Sequence, residues 1–213
     1  MGDDGAGALA SAGVSARPDD AALLAAAARG EEAAYVSLFL RYHPLMVRLA
    51  RGHTGSPVAA EEVAQQAWLA VLVDLDRVDE RMTPRAWIMR TLLARARARS
   101  QPAGTDAAAP GEPGFADDRF MPRDHARWPG HWAAPPADWG DASADDLARL
   151  RDAIDALPAA EHDVVVLRDV AGWDRAEVCA ALGVREDEQR ALLHRGRLRL
   201  RAALDAHLAE AGR

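Results

Sequence analysis

Residues 174–201, DRAEVCAALGVREDEQRALLHRGRLRLR, carry the strongest structural signal in the C-terminal part of the chain. Asp174 and Glu177 have the spacing of a capping box, which begins a helix, and Gly183 can adopt the left-handed backbone that ends it. A second helix follows, and its basic side chains share one face. They are Arg190, His194, Arg197 and Arg201. Such a pair is typical of a helix-turn-helix, whose second helix enters the DNA major groove; the alternative is a solvated amphipathic helix in a bundle.

Composition excludes several classes of protein. The chain has 213 residues, 49% of them hydrophobic, so it can hold one or two packed domains. Its net charge is −7, so any nucleic acid must be bound through local basic patches. The single cysteine, Cys179, excludes an intramolecular disulfide and a cysteine-based zinc site. The sequence has neither a secretory leader nor an uncharged apolar run of about 18 residues. We therefore expect a cytoplasmic protein without membrane contact, metal or cofactor.

Proline marks several helix boundaries in residues 19–100. Ser56-Pro57 and Thr83-Pro84 each place a capping residue before a proline at the first helical position, and both predict helix starts. Pro44 predicts a break between one helix over about 31–42 and another over about 44–53. No alternating strand pattern competes with these signals, so the sequence predicts an all-α fold.

Residues 101–142 differ in composition from both flanks. They hold seven of the twelve prolines, five glycines and seven acids against three arginines, together with Trp128, Trp132 and Trp139. Such a stretch cannot build a periodic core and is typical of a linker. The helical pattern resumes at Ser143. The predicted layout is a disordered tail over 1–18, a small helical domain over 19–100, an irregular Pro/Gly-rich linker over 101–142 and a helix-turn-helix domain over 143–213.

Residues 81–100, RMTPRAWIMRTLLARARARS, carry six arginines and no acid. On a helical projection Arg90 and Arg97 lie nearly opposite an apolar stripe, with Trp87 beside them. A basic face next to an aromatic ring suits single-stranded nucleic acid, because guanidinium groups pair with phosphates while a base stacks on the ring. The alternative is that Trp87 fills the core and the arginines keep the helix soluble.

The order of these parts resembles the extracytoplasmic-function (group 4) sigma factors of bacterial RNA polymerase. Three segments carry the resemblance, in the family's order and spacing. They are AAEEVAQQAWLAVLVDLDRVD at 59–79, PRAWIMRTLLARARAR at 84–99 and DALPAAEHDVVVLRDVAGWDRAEVCAALGV at 155–184. The resemblance implies a promoter-melting domain, a flexible linker and a helix-turn-helix domain. It also implies a non-catalytic subunit that binds core polymerase and directs promoter-specific initiation.

The resemblance assigns roles to individual residues. Glu62 and Gln65 fall where the family contacts the polymerase clamp helices, and they lie one helical turn apart. Contacts to the −10 element are implied for Trp87, Arg90, Arg95, Arg97 and Arg99. Contacts to the −35 element are implied for Arg190, His194, Arg195 and Arg197. The implied partners are core RNA polymerase, through its β′ clamp and β flap, promoter DNA and an anti-sigma factor.

Some positions depart from the family pattern. Ala94 replaces an asparagine in the promoter-reading helix, and the recognition helix begins with the acids Glu186, Asp187 and Glu188, which repel phosphates. The alternative interpretation is therefore a sigma-like interaction protein with weak or no promoter recognition of its own. No nucleophile–base pair, phosphate loop or metal-ligand cluster indicates an enzyme.

Overall fold

The computed structural model describes residues 19–78, 81–99 and 143–211, and every regular element in these ranges is helical. The N-terminal half consists of α1 (Asp20–Ala28), α2 (Glu32–Thr54), α3 (Pro57–Val73), a short 3-10 turn (Leu75–Arg77) and α4 (Pro84–Arg99). The C-terminal half consists of α5 (Ala144–Asp155), α6 (Ala159–Val165), a π-helical turn (Val166–Val170), α7 (Arg175–Leu182) and α8 (Glu186–Ala211). The predicted tail and the predicted linker lie outside the described residues.

The capping residues predicted from sequence begin the helices in the structure. The Ser56 hydroxyl accepts a hydrogen bond from the backbone N–H of Ala59 at 3.4 Å, and Thr83 caps α4 in the same way. Ser143 and Asp146 form a reciprocal capping box at the start of α5. Because each contact satisfies an N–H that has no partner within its own helix, these starts are set locally.

The break predicted at Pro44 was wrong, because α2 continues through it to Thr54. Proline removes one helical hydrogen bond and costs about 3 kcal/mol inside a helix. Both sides of Pro44 are held by the core, through Leu38 and Tyr42 before it and Met46 and Leu49 after it. Burial of each such side chain contributes roughly 1.5–3 kcal/mol, so packing outweighs the cost of the proline.

The two halves share one contiguous apolar core. Within the N-terminal half α2 packs on α3 and α4, while in the C-terminal half α6 packs on α8. The halves meet where α4 lies against α7 and α2 lies against α6. None of the helices in the described ranges is both long and apolar enough to cross a membrane.

Acid should loosen the attachment of α5 to α8, where the Asp146 carboxylate lies 2.9 Å from His207 Nε2. Hydrogen bonds with His207 and Ser143 lower the pKa of Asp146 to about 2. A carboxyl group whose pKa is lower in the folded than in the unfolded protein stabilises the fold at any pH above its unfolded pKa, which is near 3.9. This stabilisation is lost as the pH falls towards the folded pKa. We expect the free energy of unfolding to drop between pH 4 and pH 2, and to drop less in Asp146→Asn. Urea titrations at both pH values test this, and an equal drop in the two proteins would contradict it.

Candidate nucleic-acid interface

The helix-turn-helix predicted from sequence is present in the C-terminal half. The Asp174 carboxylate caps α7 by accepting from the backbone N–H of Glu177 at 2.8 Å, and Gly183 ends α7 with a φ of 71°. Only the left-handed backbone turns the chain this tightly into α8, which favours glycine there. The Glu177 carboxylate, predicted to complete the capping box, instead accepts hydrogen bonds from Arg85 of α4 and from Thr83, the residue that caps α4.

The residues predicted to read the −35 element differ in how much of each side chain is available. Arg190 is exposed, whereas His194 and Arg195 are half-buried. Arg195 Nε lies 3.3 Å from the carboxylate of Glu161, a buried residue of α6. Arg190 is therefore the member of the predicted set that presents its guanidinium most openly.

Arg197 is buried and has a partner within the C-terminal half. Its Nε and Nη2 donate to the two carboxylate oxygens of Asp169, at 2.9 and 2.6 Å. A bidentate arginine–carboxylate pair is among the stronger polar contacts in proteins, and it leaves less of the guanidinium free for a base. No sequence pattern predicted Asp169 and Glu161 as partners of α8, because both lie outside α8 and at no helical spacing from its arginines.

The acids at the start of α8 are exposed, as the sequence suggested, but two of them have basic neighbours. Arg175 Nη1 lies 3.5 Å from Glu186, and Arg185 Nη2 lies 2.8 Å from Asp187. These exposed pairs reduce the local negative charge only partly, since water and salt screen them. The approach of a phosphate to this end of α8 is therefore still opposed.

The apolar stripe of α4 is buried, and Trp87 is buried with it at 9% relative exposure. The structure thus has Trp87 in the core, as the alternative interpretation of this helix expected. The stacking of a base on its ring stays a prediction. Arg90 and Arg95 are exposed on the outer side of α4 and could meet phosphates there.

The other two arginines of α4 in the predicted −10 set have protein partners. Arg97 Nη1 donates to the backbone carbonyl of Leu182 in α7 at 3.3 Å, and its Nη2 lies 3.9 Å from the carboxylate of Asp163 in α6. Arg99 Nη2 lies 2.7 Å from the Glu62 carboxylate. The structure therefore joins a residue predicted to bind DNA with one predicted to bind polymerase.

Glu62 and Gln65 lie on the exposed face of α3, where a protein partner could reach them. The same face continues into Leu69, which is 64% exposed, and Val73, which is 80% exposed. On the neighbouring helix α2, Leu40 is 69% exposed. Exposed aliphatic groups bordered by polar side chains are typical of a protein-binding surface. The sequence did not reveal this surface, because only the packing of α2 on α3 shows which apolar residues stay outside the core.

No cluster of metal-ligating side chains exists among the described residues. The described residues present basic helices and an exposed amphipathic face. Guanidinium groups can pair with phosphates and base edges, and a mixed polar and apolar face can bind protein.

Comparisons with known proteins agree with this arrangement. Residues 38–100 match the family model for Sigma-70 region 2, and residues 147–200 match the model for Sigma-70, region 4. The ECF RNA polymerase sigma factor SigD of Mycobacterium tuberculosis is 28% identical over 186 residues, which cover 84% of this chain and 81% of that protein. The ECF RNA polymerase sigma factor SigE of Mycolicibacterium smegmatis is 36% identical over 90 residues, which cover 42% of this chain and 34% of that protein.

Two solved structures share the fold. CnrH, in complex with the cytosolic domain of CnrY, has a TM-score of 0.58 and 24% identity, and the match covers 88% of this chain and 97% of that one. The sigma factor RpoE of Bartonella quintana, in complex with the anti-sigma factor NepR, has a TM-score of 0.55 and 18% identity, and the match covers 80% and 96%. With both sigma regions present in order on one helical chain, the protein belongs to the extracytoplasmic-function family of RNA polymerase sigma factors.

Proposed function

We propose that this sigma factor binds core RNA polymerase in the cytoplasm and directs it to a specific set of promoters. The N-terminal half would contact the polymerase clamp and the −10 element, and the C-terminal half would contact the β flap and the −35 element. The catalytic chemistry would belong to polymerase. An anti-sigma factor is a further proposed partner, of the kind with which the Bartonella quintana relative was crystallised.

The observation that carries this proposal is the pairing of the two sigma regions with an exposed binding face on α3. Glu62, Gln65, Leu69 and Val73 follow one another at helical spacing and are all accessible. On such a face the charged and amide groups can orient a protein partner, and the aliphatic groups can be buried against that partner.

Reversing the charge at Glu62 and removing the amide of Gln65 should weaken polymerase binding. In Glu62→Arg with Gln65→Ala we expect the affinity for core polymerase to fall by about tenfold or more, since losing interface contacts of this kind typically costs more than 1 kcal/mol. Both positions are exposed, so the helical content should not change. Fluorescence anisotropy with purified core polymerase measures the affinity.

The matched control is Arg99→Ala, which breaks the 2.7 Å ion pair with Glu62 but leaves the α3 face intact. Because an exposed ion pair contributes only about 0–1 kcal/mol, this variant should bind core polymerase as the unmodified protein does. Unchanged affinity in the double variant would remove Glu62 and Gln65 from the polymerase interface.

One observation favours a second candidate, a sigma-like interaction protein that recognises promoters poorly. Of the residues predicted to read the −35 element, Arg197 is buried in an ion pair and Arg195 is held near Glu161. Run-off transcription with core polymerase separates the two candidates. Initiation at defined start sites supports the sigma factor, whereas polymerase binding without initiation supports the interaction protein.

A further inference from the structure

A pocket of about 150 Å³ lies between α2 and α5. On the α2 side Pro44 is followed at positions i+3, i+4 and i+7 by Val47, Arg48 and Arg51, and all four line the pocket. Residues at this spacing share one face of a helix, so α2 presents a continuous stripe to the pocket. None of them belongs to the surfaces proposed above for polymerase or DNA, so the proposed function does not use this pocket.

The α5 side of the pocket repeats this spacing. Arg151, Ile154 and Asp155 line it at positions i, i+3 and i+4. Ile154 is buried and Val47 of α2 is half-buried, so the pocket has an apolar wall next to its charged groups. Sites for small ligands usually combine such a wall with a few polar groups that orient the ligand.

The pocket has an excess of positive charge, although the whole chain has a net charge of −7. The guanidinium groups of Arg48, Arg51 and Arg151 are accompanied by a single carboxylate, that of Asp155. Arg48 and Arg51 are also neighbours on one helix face, and like charges in this relation destabilise a helix. A bound anion would remove the repulsion among the three guanidinium groups.

These guanidinium groups have donors to offer to a ligand. Arg51 Nη1 lies 3.5 Å from the Asp155 carboxylate, which exceeds the roughly 2.7–3.2 Å of a good hydrogen bond. Within the described ranges of the chain, no carboxylate lies at ion-pair distance from Arg48 or Arg151. The pocket therefore holds more hydrogen-bond donors than its own acceptor can satisfy.

The charge and the size of the pocket indicate the class of ligand. A guanidinium group donates two parallel hydrogen bonds to an oxyanion, and a phosphate group offers three oxygens and nearly two negative charges at neutral pH. One water molecule requires about 10–15 Å³ of a cavity, so this pocket has room for roughly ten non-hydrogen atoms. That is enough for a phosphate group together with a small organic group.

We propose that the pocket between α2 and α5 binds a phosphate monoester of a small organic molecule. The phosphate is held by Arg48, Arg51 and Arg151, and the organic group packs on Val47 and Ile154. The inference goes beyond the proposed function and does not depend on it, because the pocket shares no residue with the proposed polymerase and DNA contacts.

Titration of the full ¹⁵N-labelled chain with phenyl phosphate at constant ionic strength tests the site. The Nε–H signals of the arginines, assigned by their loss in single Arg→Gln variants, report on each guanidinium group by nuclear magnetic resonance. We expect the signals of Arg48, Arg51 and Arg151 to shift together and to saturate with one dissociation constant. The signal of Arg149, exposed on α5 outside the pocket, should stay in place, and phenol should shift none of the signals.

Removal of two guanidinium groups should weaken binding. In Arg48→Gln with Arg151→Gln we expect the dissociation constant for phenyl phosphate to rise by at least about tenfold, because hydrogen bonds to a charged group are lost. Neither position is buried, so the helical content should not change. Arg149→Gln is the matched control on α5 and should bind phenyl phosphate as the unmodified protein does.

Pro44→Glu tests the pocket from its α2 edge and decides the question if the arginine variants lose helical content. A glutamate at this position lies one helical turn from Arg48, where it supplies an anion from within the chain, and phenyl phosphate should no longer bind. Pro44→Gln has the same shape without the charge and should retain binding. Both variants replace a proline inside a helix by a good helix former, so α2 should be strengthened.

Inorganic phosphate, titrated in the same way, separates the two sources of this anion. Tighter binding of phenyl phosphate than of inorganic phosphate supports the monoester, whereas equal affinities would overturn the role of the apolar wall. Shifts that do not saturate, or that are equally large for Arg149, would overturn the site as a whole. Binding that persists both in the double arginine variant and in Pro44→Glu would overturn it as well.

Discussion

Trp87→Ala is expected to lower the free energy of unfolding by about 3–4 kcal/mol, because removal of a buried indole leaves a cavity that neighbouring side chains fill only in part. The ring belongs to the contiguous core and is 9% exposed. Urea unfolding followed by circular dichroism measures the change. Arg90→Ala, one turn along the same helix and exposed, is the control and should stay within about 0.5 kcal/mol of the unmodified protein.

The same variant separates two roles for this residue. If Trp87 acts in the core, Trp87→Phe should recover most of the stability together with promoter melting, since a smaller aromatic group still fills much of the space. Near-normal stability in Trp87→Ala combined with a complete loss of promoter melting would show instead that the ring stacks on a base, as the family resemblance implies.

Arg197→Ala is expected to destabilise the protein by about 1.5 kcal/mol, the low end of the range for hydrogen bonds to charged groups, because water can reach the Asp169 side chain, which is 32% exposed. The variant leaves the Asp169 carboxylate without the two N–H donors that it has at 2.9 and 2.6 Å. Thermal unfolding of the whole protein, followed by circular dichroism, measures the effect.

Arg190→Ala provides the contrast to that variant. Its side chain is exposed, so stability should change by less than about 0.5 kcal/mol, while transcription from a −35-dependent promoter should fall in line with a lost contact of about 1–3 kcal/mol. Equal effects of both variants on transcription, with both proteins fully stable, would mean that Arg197 leaves Asp169 to contact DNA.

The elements whose signals are local could be predicted from the sequence. Ser56-Pro57, Thr83-Pro84 and Ser143 predicted helix starts, and Gly183 predicted the turn into the recognition helix; all are confirmed. Such predictions succeed because a capping side chain or a left-handed glycine acts on backbone groups within about four residues. The order of the segments was enough to identify the family.

The partners of the charged side chains became evident only from the packing of the helices. Asp163 and His53 are 110 residues apart, and Arg85 and Glu177 are 92 residues apart, so no local pattern predicts either pair. The same holds for the engagement of Arg197 by Asp169 and for the unbroken course of α2 through Pro44. In each case the outcome depends on how helices from distant segments pack, because burial and ion pairing are set by neighbours in space, whereas helix caps are set by neighbours in sequence.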